Sequence, residues 1–174
     1  LIASTSVLLT AMQTFYSYLD CPIGRVRLRA SDDGLIALDH ENQQAETAVD
    51  WIESPQHPIL LQASSELSEY FSGSRKEFTT RLAPVGTAFQ QQVWGELSAI
   101  PYGEIVSYSF IAERINNPKA VRAVGAANGR NPLSIFVPCH RVTGKNGKLT
   151  GYAGGLENKQ TLLDLESRFA PMSN

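Results

Sequence analysis

Along residues 14–20, 24–31 and 34–40 apolar and polar side chains alternate, whereas beyond residue 59 apolar positions recur every three to four residues. A period of two buries one face of a sheet and a period near 3.6 buries one stripe of a helix, so the chain must combine both. In Arg25-Val-Arg-Leu-Arg-Ala30, Val26, Leu28 and Ala30 share one face and three arginines the other. Asp32-Asp33-Gly34 is a hairpin signal between two such runs. The spacing then predicts helices over 43–53 and 59–72, the second with Leu67, Tyr70 and Phe71 inward and Gly73 as its stop. These elements make an α+β first domain over 12–81, an antiparallel sheet with helices. It carries no catalytic constellation, so its expected job is support.

Residues 82–88, Leu-Ala-Pro-Val-Gly-Thr-Ala, read as a linker to a mainly helical second domain over 89–174. Thr87 and Gln90 have capping-box spacing for a helix that buries Phe89, Val93, Trp94 and Leu97. Trp94 is expected in the core. Pro101-Tyr-Gly103 breaks the chain before a helix near 108–115 capped by Ser107. Asn117 is a candidate cap and Pro118 a first residue for a helix over 118–128, which Gly129 ends. Two short helices across a tight turn form a helix-turn-helix. Its second helix packs through Val121, Val124 and Gly125 and presents Arg122 and Ala126, with Ala123 and Ala127 close by. Side chains this small let a backbone approach DNA but leave little with which to read bases, which favours sequence-tolerant binding.

Charge agrees with that division. The net charge of −2 is uneven: residues 1–85 hold 6 Lys/Arg against 11 Asp/Glu, and residues 86–174 hold 9 against 6. From Arg114 to Lys159 eight basic residues face one acidic residue, Glu157, an excess that fits equally a surface that meets phosphates and an ordinary solvated face. Two cysteines more than a hundred residues apart make no disulfide framework, and Cys21, His40 and His57 lack the paired spacing of a zinc site. Cys21 is expected as a small core residue. Residues 1–11 are apolar and Ser/Thr-rich with no basic segment before them and are too short to span a bilayer. They are read as a tail, and a cytoplasmic protein is expected.

The chemistry lies at Pro138-Cys139-His140-Arg141-Val142, directly after an apolar run, Leu133 to Val137, that reads as a buried strand. A thiol reacts as thiolate, and a nearby imidazole held by a carboxylate is the usual activator. Neighbours on an extended segment point to opposite sides, so Cys139 and His140 need a turn or a bridging water to communicate. A last helix over 156–169 puts Leu162, Leu163, Glu166 and Phe169 on one face. An inward Glu is costly without a partner.

The run Arg122-Ala-Val-Gly-Ala-Ala-Asn-Gly-Arg-Asn131, the following Pro-Leu-Ser-Ile-Phe-Val, the Pro138–Val142 pentapeptide and Gly151-Tyr-Ala-Gly-Gly155 together resemble the active-site region of the O6-alkylguanine-DNA alkyltransferases. The likeness is continuous over about 87–166. It implies that Cys139 takes an alkyl group from O6 of guanine, with O4 of thymine as a second candidate, and keeps it as a thioether. His140 would be the base acting through a bound water, and Glu166 would orient it. Asn131 would link the DNA-binding helix to the cysteine. Arg122 would fill the space of a flipped nucleotide, and Tyr108 would crowd the target phosphate. Ala123, Ala126, Ala127 and Val142 would complete the DNA- and substrate-facing set. Tyr152 and Ala153 would form a lid over the base, and Gly154 would leave room beside the thiol for larger O6-groups. The implied partner is duplex DNA, bound through the minor groove with little sequence preference by a monomer, with no cofactor and no metal. The main rival is a non-catalytic alkylated-base-binding protein, against which Cys139 argues. A Cys-His hydrolase would have no use for Arg122, and a transcriptional regulator would need larger side chains on its recognition helix.

Overall fold

The computed structural model describes residues 12–172, so the tail expected at 1–11 lies outside the described residues. The first half is α+β. Strands β1 (Phe15–Cys21), β2 (Gly24–Ser31) and β3 (Gly34–Asp39) form antiparallel hairpins. Leu28 pairs with both Ser17 and Leu38, and Val26, Leu28 and Ala30 face inward as their alternation requires. A short strand, β4 (Ile52–Glu53), adds in parallel to β1 and gives the order β3-β2-β1-β4.

Helix α1 (Pro58–Phe71) crosses β1 to β3. His57 caps it by accepting from the Ile59 N–H at 3.3 Å, and Pro58 suits the first turn. Leu60, Ala63, Leu67 and Tyr70 are buried on its inner face, and Gly73, at φ +82°, takes the left-handed conformation that ends it. The helix expected over 43–53 is absent. A single helical turn, Glu41–Gln43, ends where that stretch begins, and irregular chain and β4 follow. It lacks an apolar stripe: Val49 lies fully in solvent, and a short helix with nothing to bury is unstable. Trp51 instead stacks beneath the guanidinium groups of Arg27 and Arg29 at 5.2 and 4.8 Å.

The second half is helical. Helix α2 (Ala88–Ser98) has both bonds of the expected capping box, from Gln90 N–H to Thr87 Oγ1 and between the Gln90 side chain and the Thr87 N–H. A two-residue strand, β5 (Val106–Ser107), leads into α3 (Tyr108–Arg114), which Ser107 caps. Helix α4 (Val121–Gly129) begins at Val121 rather than Pro118, with Ala120 as its cap, because the chain first makes a turn through Asn116 at φ +56°. α2, α3 and α4 pack together, and the Trp94 indole is buried among them. A short strand, β6 (Val142–Thr143), pairs in parallel with β5, and α5 (Leu156–Phe169) closes the chain. Leu162, Leu163 and Glu166 point inward as expected, but Phe169, the last residue of the helix, is 36% exposed.

Leu82 bridges to Leu35, and the Ala83 N–H donates to the Leu35 carbonyl, so the start of the connecting segment belongs to the first sheet. One hydrophobic core runs through both halves, from Val26 and Leu28 to Val142 and Leu162. Among the described residues no helix is long and apolar enough to cross a membrane.

Candidate active site

Cys139 hangs on the segment that joins α4 to β6. Asn131, buried at the end of α4, donates from Nδ2 to the Val137 carbonyl (2.9 Å) and accepts at Oδ1 from the Leu133 N–H (2.9 Å). It therefore clamps the loop at both ends. The run Leu133 to Val137 is consequently a turn, not the strand its apolarity suggests: Val137 N–H bonds back to the Leu133 carbonyl, and Ile135 sits at φ +75°. A β-branched residue there costs on the order of 1–2 kcal/mol. Burial of Ile135 and the Phe78–Phe136 ring contact offset it. Cys139, His140 and Arg141 then form one tight helical turn. That turn supplies the change of direction an extended Cys-His pair would lack.

Glu166 organises the rest. It is 1% exposed, and its carboxylate accepts from His140 Nε2 (2.7 Å), the Tyr70 hydroxyl (2.8 Å), Arg141 Nε and Nη2 (2.8 Å each) and the Gly103 N–H (3.2 Å). Burial alone would raise its pKa, but the hydrogen bonds from His140 and Arg141 and the Arg141 charge outweigh that and hold it at about 2. A carboxylate with five donors is paired, which removes the cost of its inward phase. Because His140 gives its Nε2–H to Glu166, the neutral ring keeps a lone pair on Nδ1, which has no partner within the protein. Burial pushes the His140 pKa down against the pull of Glu166. Burial likewise pushes the Cys139 thiol up, opposed by Asn131, Ser134 and Lys159 without being cancelled. The resting pair is thus neutral thiol and neutral imidazole, rather than a standing thiolate.

Lys159 is wholly buried and faces no carboxylate among its hydrogen-bond partners; its ammonium donates to the carbonyls of Val142 (2.6 Å) and Thr150 (2.9 Å). Burial lowers its pKa and the neighbouring Cys139 opposes this. Passing a proton from Cys139 to His140 would create a cation beside Glu166 and an anion near Lys159. Each new charge therefore meets an opposite charge already in place.

Beyond the thiol, Arg122, Ala123 and Ala126 lie exposed along α4. Ala127 does not join them: it is 3% exposed, and its carbonyl accepts the Trp94 indole N–H at 2.9 Å. Val142 is wholly buried, so its side chain is core and not a DNA-facing surface. Two of the eight basic residues counted on this stretch, Arg141 and Lys159, are internal, which leaves six on the surface. The Tyr108 hydroxyl lies 3.3–3.4 Å from the Thr150 hydroxyl and carbonyl, at the root of the 151–155 loop. That loop is held from the first half: Asn42 Nδ2 donates to the Ala153 carbonyl (3.2 Å), and Asn158 Nδ2 bridges the carbonyls of Gly154 (2.9 Å) and Ile23 (3.1 Å). The space beside Gly154 is not open. A Cβ there would lie 2.6 Å from His40 Nδ1, so the glycine is required by the close approach of that ring.

Sequence reasoning missed Tyr70, Arg141, Lys159 and His40. Lys159 had a signal, since it lies on the same inward stripe of α5 as Leu162 and Glu166. Tyr70 was legible as an inward residue but not as a hydroxyl reaching Glu166 across 96 positions of chain. A lone His40 after a strand carries no signal at all.

Comparison with known proteins bears on both halves. The family model described as "6-O-methylguanine DNA methyltransferase, ribonuclease-like domain" matches residues 14–84, and that described as "6-O-methylguanine DNA methyltransferase, DNA binding domain" matches 88–168. A methylated-DNA–protein-cysteine methyltransferase of Methanosarcina acetivorans is 47% identical over 87% of this chain and 97% of its own length. One from Mycolicibacterium paratuberculosis is 48% identical over 91% and 95%. Among solved structures, Mycobacterium tuberculosis OGT in complex with DNA superposes with a TM-score of 0.83 at 46% identity, covering 90% of this chain and 95% of that one.

Proposed function

The chain belongs to the 6-O-methylguanine DNA methyltransferase family, a DNA-repair enzyme that transfers alkyl groups from DNA to a protein cysteine, and we propose that Cys139 is the acceptor, activated by His140 and Glu166. The observation that carries this reading is the buried contact of His140 Nε2 with Glu166 at 2.7 Å, on the turn that bears the thiol. Glu166 fixes the tautomer and orientation of the ring, so Nδ1 is the atom free to take the thiol proton, through a bound water as the family resemblance implies. The sulfur lone pair then attacks the alkyl carbon in line with its bond to O6. The S–C bond forms, the C–O bond breaks with its electron pair left on guanine, and the proton returns to guanine. The product is a thioether, which water does not cleave under mild conditions. Each molecule acts once.

A target inside the stack is unreachable, so the nucleotide must turn out of the duplex at a cost of a few kcal/mol. Arg122, exposed on α4 among small residues, is the side chain suited to fill the gap. Ala123 and Ala126 let the helix come close to the backbone, and Tyr108, the first residue of α3, would crowd the target phosphate. Tyr152 and Ala153 would cover the extruded base, with a backbone N–H toward O6. DNA is the partner. Entry through the minor groove, weak sequence preference and action as a monomer belong to this proposal, as does O4-alkylthymine as a second substrate. A non-catalytic base-binding protein is the weaker reading, because it gives no role to a thiol, a base and an orienting carboxylate held together.

The test is an intact-protein mass before and after incubation with duplex DNA containing O6-methylguanine. The mass should rise by one methylene, mapped to Cys139, with at most one methyl per protein, and Cys139→Ala should bind the DNA without gaining mass. Transfer mapped to another residue, or repeated turnover, would refute the assignment.

A further inference from the structure

His40 directly follows β3, far from the Cys-His-Arg turn in sequence and outside every motif of the family resemblance. It is 1% exposed, yet neither ring nitrogen has a hydrogen-bond partner within the protein. Its ring packs edge-on against Tyr152, with centroids 5.3 Å apart and planes at 68°. Its Nδ1, Cε1 and Cγ occupy the place a side chain on Gly154 would take, at 2.6, 2.7 and 2.9 Å from the notional Cβ. Tyr152 and Gly154 belong to the loop proposed to cover the extruded base, and Asn42, two residues after His40, holds that same loop through Ala153.

A buried imidazole that makes no hydrogen bond costs about 1–3 kcal/mol relative to one that does. A purely structural role is served at lower cost by an apolar ring of the same size. Asp39 adjoins His40, but burial dominates and lowers the pKa to about 4, so the ring is neutral and offers one N–H donor and one lone pair. That pair of functions matches a hydroxyl, which also donates and accepts.

We propose that His40 is a specificity-determining residue that the first domain contributes to the acceptor pocket: its ring is the wall beside Gly154 that limits the bulk of the O6-substituent, and its unpaired nitrogens favour a substituent ending in a hydroxyl. This rests on Cys139 being the acceptor. The wall follows from occupancy, because a larger group beside Gly154 meets the imidazole. The chemical preference follows from the unmet hydrogen bonds.

The experiment measures single-turnover transfer rates for the full-length protein, His40→Ala and His40→Phe. The substrates are duplexes carrying O6-methylguanine, O6-benzylguanine or O6-(2-hydroxyethyl)guanine, and thermal melting checks each fold. His40→Ala opens the wall and should raise the benzyl-to-methyl rate ratio about tenfold. His40→Phe keeps the wall but removes the polar atoms, and should lower the hydroxyethyl-to-methyl ratio about fivefold, the worth of roughly one hydrogen bond. If only the benzyl ratio moves, the wall stands and the hydroxyl preference is overturned. If neither ratio moves in variants that melt normally, or if all three substrates fall together, His40 is a packing residue and the proposal fails. Loss of methyl transfer to Cys139 in the unaltered protein would instead overturn the underlying function.

Discussion

Glu166→Gln separates the structural from the chemical worth of the buried network. The unaltered carboxylate accepts from five donors on four residues, and its carboxyl is held at about 2 against an ordinary value of 4.5. That difference is worth about 3 kcal/mol of folding free energy. An independent route gives a similar figure: removing one partner of a buried ion pair, here that of Arg141, costs about 3–5 kcal/mol. The sign follows from the depressed pKa. The contribution is complete above the unfolded value near 4.5 and is lost as pH falls toward 2. Denaturant unfolding of the two proteins at a series of pH values isolates this one group, since every other carboxylate is common to both. Glu166→Gln should be less stable by about 3 kcal/mol at pH 6, and the gap should narrow by about 2 kcal/mol by pH 3. In the fraction that is folded, transfer should also slow, because the imidazole loses the carboxylate that meets its developing charge. A gap below about 1 kcal/mol at pH 6, or one that does not change with pH, would refute the account of Glu166 as a fully engaged anion.

Arg122→Ala should slow repair in duplex DNA far more than reaction with free O6-benzylguanine, which needs no extrusion; equal losses in a rate comparison would place Arg122 elsewhere. Lys159→Gln removes the charge that meets the developing thiolate, so single-turnover rates should fall and the rise of rate with pH should move upward, whereas an unmoved pH profile would reduce Lys159 to a clamp on the Val142 and Thr150 carbonyls. Tyr70→Phe deletes one donor to Glu166 and should cost about 1–2 kcal/mol in unfolding experiments while leaving the methylated residue unchanged. Because burial pushes His140 down, transfer should persist at pH values below the ordinary histidine range, read as a single-turnover rate profile.

The elements whose signals are local were legible in the chain itself. Alternation placed β1 to β3, Thr87 and Gln90 marked the start of α2, and the stripe of α5 turned Glu166 inward, because side-chain period and capping depend on residues within a turn or two. The pentapeptide around Cys139 pointed to the chemistry through the family resemblance it carries. Tertiary structure decided what local pattern could not. Residues 133–137 look like a strand, but Asn131 bonds both ends of the run and bends it into a turn. Residues 43–53 carry helix-tolerant residues, but no face of them finds a core to cover. Ala127 and Val142 fall on the buried side of elements whose other side was expected to meet DNA. Tyr70 and Lys159 acquire their roles only where α1 and α5 pack beside the turn that bears the thiol. A hydrogen bond across 96 positions, or a ring resting on a distant glycine, follows from how the elements pack, and no local pattern in the sequence encodes it.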